Sequence, residues 1–318
     1  MLSDKLTYVV RANIKDEKLR DYLKYTESLS GRFIKSSGLT GKITVNNKVA
    51  KLNHRINSED IIEIDMKRDE HQNIEPEKMD LDVVYDDIDL IVVNKSPGIV
   101  VHPTRGYPNG TLANGVLYYF KERGEKCIVR LVSRLDMDTS GLIIIAKNQY
   151  SHMALARDMQ SKDIQSKDND KKDAQGKTFE KSYMAVVHGN MQNKSGTIDL
   201  PIGKPDEESI NRKVCEEGQR SITHYEVVES FKNGDLVKVT LETGRTHQIR
   251  VHFSHIGHPL YGDSLYGTVE SDYIDRQALH AYKLIIPHPR TGEQLIIQSK
   301  LPDDINNLVR KLKAESDI

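Results

Sequence analysis

Four short stretches of this chain carry residue types that can do chemistry. In "RLDMDTSGLIIIAKN" (134–148), Asp136 and Asp138 stand just ahead of the apolar run Leu142 to Ala146, which has the length of a buried strand. An aspartate at the mouth of such a strand, two residues from Arg134, is either half of a structural ion pair or a reactive carboxylate held at a fixed angle. Gly141 and the small Thr139 and Ser140 would let backbone or a substrate come close. Asp-x-Asp can also hold a divalent cation, but such sites need more oxygen ligands than this stretch offers, so a bare carboxylate ranks first. "NKSPGIVVHP" (94–103) ends one strand at Lys95, turns at Pro97-Gly98 and closes an extended run at His102-Pro103. In "KSYMAVVHG" (181–189), Tyr183 shares a strand face with Lys181, Ala185 and Val187, as a core tyrosine or as a platform on which a base could stack. In "ETGRTHQIRVHFSHIGHP" (242–259), Arg245 and Arg250 read as partners for phosphate or carboxylate. His247, His252, His255 and His258 invite a zinc reading, but no HExxH arrangement is present and His247 and His252 lie off one helical face.

The elements around these stretches follow from periodicity. Thr246 is a suitable N-cap for a helix over 246–256, with Ile249, Phe253 and Ile256 on one stripe and Gly257 and Pro259 stopping it. The alternation of Ile249, Val251 and Phe253 would equally fit a strand. Helices are also expected at 16–27, 110–122, 151–160 and 303–314, and strands at 142–146, 181–187, 236–242 and 294–298. Strands and helices are mixed without a βαβ rhythm, which predicts an α+β fold rather than a doubly wound sheet. Residues 67–79 are polar and contain a proline, as a linker would. The stretch 161–178, with its repeated "SKD", has too few apolar residues to bury a core and reads as a flexible surface insertion.

Composition sets bounds on function. The 318 residues, 37% hydrophobic and 29% charged, suffice for a large globular domain plus a small one. A net charge of −1 means that any nucleic-acid surface must be a local patch. One such patch is visible: residues 28–58 contain no acidic side chain, while Arg32, Lys35, Lys42, Lys48, Lys51 and Arg55 are basic. Cys127 and Cys215 form no CxxC pair, and no apolar segment approaches the length of a membrane span. A cytoplasmic protein is expected.

The ordered set "NKSPGIVVHP", "RLDMDTSGLIIIAKN", "KSYMAVVHG" and "TGRTHQIRVHFSHIGHPLYGD" resembles the RluA/RluD family of RNA pseudouridine synthases, over residues 80–302. "GTLANGVLYY" (110–119) and "ALHAYKLIIPHP" (278–289) look like the family's linking segments, and residues 12–66 look like an S4 RNA-binding domain. The resemblance implies a small S4-like α/β module, a linker, and a catalytic domain built on a mixed, largely antiparallel sheet with flanking helices. The C-terminal helix or tail, 303–318, is left outside that domain. It further implies that uridines in structured RNA, ribosomal RNA ahead of tRNA, are isomerised without cofactor or metal by a monomer. Asp136 matches the family's catalytic aspartate, Arg134 the arginine that fills the gap left by the extruded nucleotide, and Tyr183 the tyrosine that stacks on the flipped base. Arg245 is the expected guanidinium partner of Asp136. Lys95, His102, Thr139 and Arg250, with Arg32, Lys35, Lys42 and Lys48 of the module, are expected to contact RNA. Ser133 departs from the pattern, since the family usually has histidine there. The rival readings are a non-catalytic RNA-binding or ribosome-assembly factor and a metal-dependent hydrolase using Asp136, Asp138 and the histidines.

Overall fold

The computed structural model describes residues 5–66, 72–165, 179–206, 209–267 and 273–316. Residues 5–66 build a small unit around its own core. Strands β1 (Lys5–Val9), β2 (Ile43–Val45), β3 (Lys48–Val49) and β4 (Ile61–Asp65) form an antiparallel sheet in the order β1–β4–β2–β3. Asn46 and Asn47, with φ of 49° and 65°, make the tight turn between β2 and β3, a conformation asparagine tolerates better than most residues. Helix α1 (Gly31–Leu39) starts where the Ser30 hydroxyl accepts the Phe33 N–H at 3.2 Å. Leu19, Leu23, Phe33 and Ile34 pack on Ile43, Ile62 and Ile64. The helix expected at 16–27 is a short α-turn, Leu19–Asp21, running into a π-helical turn, Tyr22–Thr26. The start expected at residue 12 is too late, because β1 pairs along the whole of β4 and belongs to the module.

The larger unit is organised by one long sheet. Its strands are β5 (Asp82–Asp86), β6 (Leu90–Lys95), β7 (Ser140–Ala146), β8 (Glu180–His188), β9 (Ser195–Asp199), β10 (Ile222–Ser230), β11 (Gly234–Leu241), β12 (Leu279–Pro287) and β13 (Gln294–Gln298). They run β9–β10–β11–β8–β12–β7–β6–β5, with β13 on β12. Among these strands only β7 and β12 pair in parallel, so the sheet is mixed and largely antiparallel, as expected.

Four helices cover the faces: α2 (Leu112–Glu122), α3 (Gln149–Gln165), α4 (Gln248–His255) and α5 (Asp303–Ser316). All seven residues of β7 are buried. Ile143 and Ile145 point to Val116 and Phe120 of α2, while Leu142 and Ile144 point to Leu155 of α3. A strand buried on both faces reads as a continuous apolar run, which is why 142–146 was legible. Each such side chain is worth about 1.5–3 kcal/mol of transfer free energy, so β7 is a rigid base for whatever precedes it.

Three expected boundaries move. Helix α5 buries Ile305, Leu308 and Leu312 with Met184, Val186 and Leu236, so the C-terminal helix is integral to the catalytic unit rather than a tail. Of the linker expected at 67–79, residues 72–79 lie against the large unit: Gln72 Nε2 donates to the Val129 carbonyl at 3.2 Å, and Asn114 Nδ2 to that of Glu75 at 2.8 Å. Residues 67–71 lie outside the described ones. Helix α3 continues through Gln165, and the remainder of the expected insertion, 166–178, also lies outside them. The small unit docks on α3, where Phe33 and Tyr150 rings sit 6.3 Å apart and Arg157 Nη1 donates to the Ser28 carbonyl at 3.0 Å.

Candidate active site

Asp136 sits in the loop that enters β7, as its position before the apolar run predicts. The Thr139 N–H closes a turn on the Asp136 carbonyl at 3.1 Å. At the start of the strand, Gly141 has φ 113°, and a Cβ there would run into the Ala281 backbone, so the close approach of β7 to β12 requires glycine.

The carboxylate of Asp136 is 28% exposed and is held from one side. Arg250 Nη1 donates to its Oδ2 at 3.1 Å. Its Oδ1 is 3.8 Å from His247 Nε2. Arg250 is itself buried, and Nε and Nη2 grip both oxygens of the fully buried Asp263 at 2.8 Å each. Asp263 Oδ1 also accepts the N–H groups of Leu265 and Tyr266, at 3.0 and 3.1 Å. Burial works against the Arg250 charge, but the bonds and charges of Asp263 and Asp136 outweigh it and hold the guanidinium above its usual pKa. Such a bidentate pair fixes orientation as well as charge, leaving one guanidinium edge for Asp136.

Arg245, the partner expected for Asp136, does not fill that role. Its Nε donates to the Arg220 carbonyl at 3.3 Å while its side chain lines the cleft. The reason is local geometry. His247, not Thr246, is the N-cap residue of α4 and adopts a left-handed φ of 57°. Arg245 is therefore outside the helix, whereas Arg250 is carried on its buried face. Gln248 secures the turn: its Oε1 accepts from Thr243 Oγ1 and the Arg245 N–H, at 2.9 and 3.0 Å, and its Nε2 donates to the Ile222 carbonyl at 3.0 Å.

Tyr183, on β8, closes the cleft from beneath. Burial first, and then the nearby Asp136 charge, push its phenol well above the ordinary tyrosine range, so it stays protonated. Burial, with the charges of Arg250 and Arg212, lowers the pKa of His247 despite the opposing pull of Asp136. The His247 ring is also oriented by Tyr266, whose hydroxyl is 2.7 Å from Nδ1. The cleft has a volume of about 540 Å³, ample for a nucleotide, and Arg134, Asp136, Phe179, Tyr183 and Arg245 stand around it. Arg134 is exposed. Thr139 is buried but lines a small extension of the cleft beside Asp136.

Three expected RNA contacts fall elsewhere, the first being Arg250, whose buried guanidinium is taken by Asp263 and Asp136. Lys95 is 2% exposed, and its ammonium donates to the carbonyls of Ser96, Ile99 and Met137 at 2.9, 3.0 and 2.6 Å, so it fastens the "SPG" turn to the Asp136 loop instead of facing RNA. Three carbonyl acceptors satisfy three ammonium donors, which is how a buried lysine can be tolerated. His102 is exposed but is not among the residues lining the cleft. Arg32, Lys35 and Lys48 are exposed on the small unit, and Lys42 is half-buried.

The histidines of 247–258 do not converge. His252 sits between Thr223 Oγ1 and the Leu200 carbonyl, at 2.9 Å each, and His258 Nδ1 is 2.9 Å from the His188 carbonyl. Among the described residues no three His, Cys, Asp or Glu side chains are grouped to hold a metal ion. Asp263 escaped the sequence reading, and His247 entered it only as a candidate metal ligand. A Gly-Asp pair in "PLYGD" signals only a turn, and nothing local marks it as the anchor of Arg250.

A mixed α+β sheet here carries an arginine-held aspartate on the wall of a nucleotide-sized cleft, and the comparisons give the class of RNA-modifying enzymes. Residues 89–255 match the RNA pseudouridylate synthase family model. The chain is 37% identical to an uncharacterized RNA pseudouridine synthase, YlyB, of Bacillus subtilis, over 94% of this chain and 95% of the relative. It is 36% identical to ribosomal large subunit pseudouridine synthase D of Yersinia pestis, over 89% and 87% respectively. The solved structure of human RNA pseudouridylate synthase domain containing 1 superposes with a TM-score of 0.55 at 27% identity, covering 76% of this chain and 98% of that one. The chain belongs to the RNA pseudouridine synthase family, whose enzymes isomerise uridine in RNA. Among the described residues no helix is long and apolar enough to cross a membrane.

Proposed function

We propose that this enzyme converts uridine to pseudouridine in large-subunit ribosomal RNA, with Asp136 as the nucleophile on a flipped-out nucleotide. The observation that carries the reading is the state of the Asp136 carboxylate: one oxygen takes a single bond from Arg250, and the other stands 3.8 Å from His247 Nε2, on the cleft wall. A carboxylate aimed but not saturated is available to attack.

The glycosidic bond of a stacked base is out of reach, so the target must leave the helix, and the exposed Arg134 is placed to fill the gap. The extruded uracil then lies over Tyr183. Because that phenol is protonated, it acts as a stacking wall rather than as the resting base for the C5 proton. Cleavage of N1–C1′, rotation of the uracil, bonding through C5 and loss of the C5 proton complete the isomerisation without an external co-reactant. Addition of Asp136 to the base, addition to C1′, and initial ribose proton abstraction all start from this same carboxylate, which Arg250 orients in each.

Ribosomal RNA is supported by the relatives named as large-subunit synthases. An RNA-binding role for the S4-like module, taken as residues 12–66 with β1 added, is supported by the exposed Arg32, Lys35 and Lys48 on a segment free of acidic residues. Wild type and Asp136→Ala are incubated with unmodified large-subunit rRNA carrying tritium at uridine C5, with and without chelator. Tritium release by wild type alone, indifferent to chelator, is expected. Release from tRNA but not rRNA would overturn the substrate, and release by Asp136→Ala would overturn the nucleophile.

A further inference from the structure

The parallel pairing of Ser140 with His280 sets the segments that enter β7 and β12 side by side. One carries Asp136 and the other carries Arg276. Arg276 is buried, and every edge of its guanidinium is used. Nη1 donates to the carbonyls of Asp138, Gln277 and Leu279 at 2.9, 3.2 and 3.3 Å. Nη2 donates to Ser140 Oγ at 3.3 Å and to Asp304 Oδ1 at 3.0 Å, and Nε donates to Asp304 Oδ2 at 2.7 Å. Asp304 belongs to the first turn of α5.

The neighbouring loop carbonyl, that of Met137, is the one taken by Lys95. Gln277 Nε2, from the same segment as Arg276, donates to Thr139 Oγ1 at 3.2 Å. The backbone just after Asp136 is therefore gripped at two successive carbonyls by two buried cations. Moving the loop backbone that carries Asp136 away from Arg250 would require breaking these charge-assisted bonds of buried donors.

We infer that Arg276, set in place by Asp304, is a positioning residue for Asp136, so that the C-terminal helix is part of the apparatus that aims the carboxylate. The inference rests on reading Asp136 as the reacting group. Arg276 lines neither the cleft nor its extension and acts only through the loop. Without the Asp304 charge, the buried guanidinium loses its bidentate anchor and with it the fixed angle at which Nη1 meets the Asp138 carbonyl. A displacement of about an ångström at a reacting group can cost up to about a hundredfold in rate.

The test compares Asp304→Asn with Asp303→Asn. Both remove one carboxylate from the first turn of α5, so effects of net charge and helix dipole are common to the pair, while Asp303 is exposed. Turnover on rRNA, thermal stability and the NMR titration of the His247 imidazole are measured for each. His247 reports on Asp136 without turnover, because its pKa is lowered by burial first and the Asp136 charge is the strongest pull against that lowering. Asp304→Asn is expected to lower kcat about tenfold with KM within about twofold, and to move the His247 titration further down. Asp303→Asn should change neither, and Asp304→Glu should recover part of kcat. Equal kcat in the two Asn variants, or a loss that follows only the folded fraction with His247 unmoved, would overturn the inference. If wild type turns over no RNA, the nucleophile reading fails by itself, and the His247 titration still decides the positioning: a shift confined to Asp304→Asn retains it, and no shift ends it.

Discussion

Asp89 and Asp136 are both loop aspartates paired with arginine, and they are used differently. Asp89 is fully buried: Arg290 grips both its oxygens at 2.7 and 2.9 Å, and Asn148 and Ser151 each add a bond at 2.9 Å to Oδ1. Asp136 is 28% exposed and takes one bond, because Arg250 spends its bidentate edge on Asp263. The Asp89 pair ties β6 to α3 and, through Arg290 Nη1 on the Lys5 carbonyl at 2.7 Å, to the small unit. Saturating a carboxylate makes a fastener. Steering a carboxylate with one guanidinium edge, while a second carboxylate holds that guanidinium, leaves it oriented and still reactive. The unused acceptor capacity, more than the presence of an ion pair, separates the two.

The largest effect should come from removing the reactive member. Asp136→Asn is expected to lower kcat by about 10⁴-fold or more while stability falls by less than about 1 kcal/mol, since Arg250 keeps Asp263. Tritium release and thermal melts check both halves, and a large loss of stability would erase the contrast with Asp89. The converse change, Asp89→Asn, removes the buried carboxylate that takes both bonds from Arg290 and should cost about 3–5 kcal/mol in denaturant unfolding, with kcat of the folded protein within about twofold. Arg250→Lys tests the steering itself. A lysine cannot fork between two carboxylates, so kcat should fall by about a hundredfold with little change in RNA affinity, read by single-turnover kinetics beside a binding titration.

A fourth prediction concerns Lys95, which burial pulls down to about 8 from the ordinary lysine value. Between about pH 8 and that ordinary value the native state has released a proton that the unfolded chain keeps, so this site's contribution to stability rises with pH. The stability of wild type minus that of Lys95→Met should climb by up to about 1.4 kcal/mol per pH unit across that window, and a flat difference would refute the assignment. The smallest effect belongs to Arg245→Ala. If Arg245 meets phosphate at the cleft mouth, KM rises a few-fold at near-constant kcat and the salt dependence of binding weakens by about one unit of slope.

Much of the fold was legible because it is written locally. The run 142–146 announced a buried strand, and Gly257 and Pro259 announced a helix end. Helix α1 was not assigned from sequence, since Gly31, Gly38 and two serines dilute its pattern and its burial in the module core compensates for weak propensity. The site was half legible. Asp136 and Tyr183 stand in motifs whose spacing survives without the fold. Arg250 was recognised as an anion partner, but Arg245 was given its role, because a loop arginine before a helix looks freer to reach a carboxylate than one expected on the helix itself.

The sequence by itself indicated many of the elements and the mixed α+β class, because periodicity, capping and turn preference act over a handful of neighbours, and Asp136 was singled out by the resemblance of its motif. Only the tertiary structure decided which cation meets which anion. Asp136 and Arg250 lie 114 residues apart and Arg276 reaches Asp138 across 138, distances over which no local pattern carries information. Their meeting depends on β7 and β12 lying parallel and on His247 turning the chain so that α4 presents Arg250 inward. The same packing buried Lys95 under the Asp136 loop.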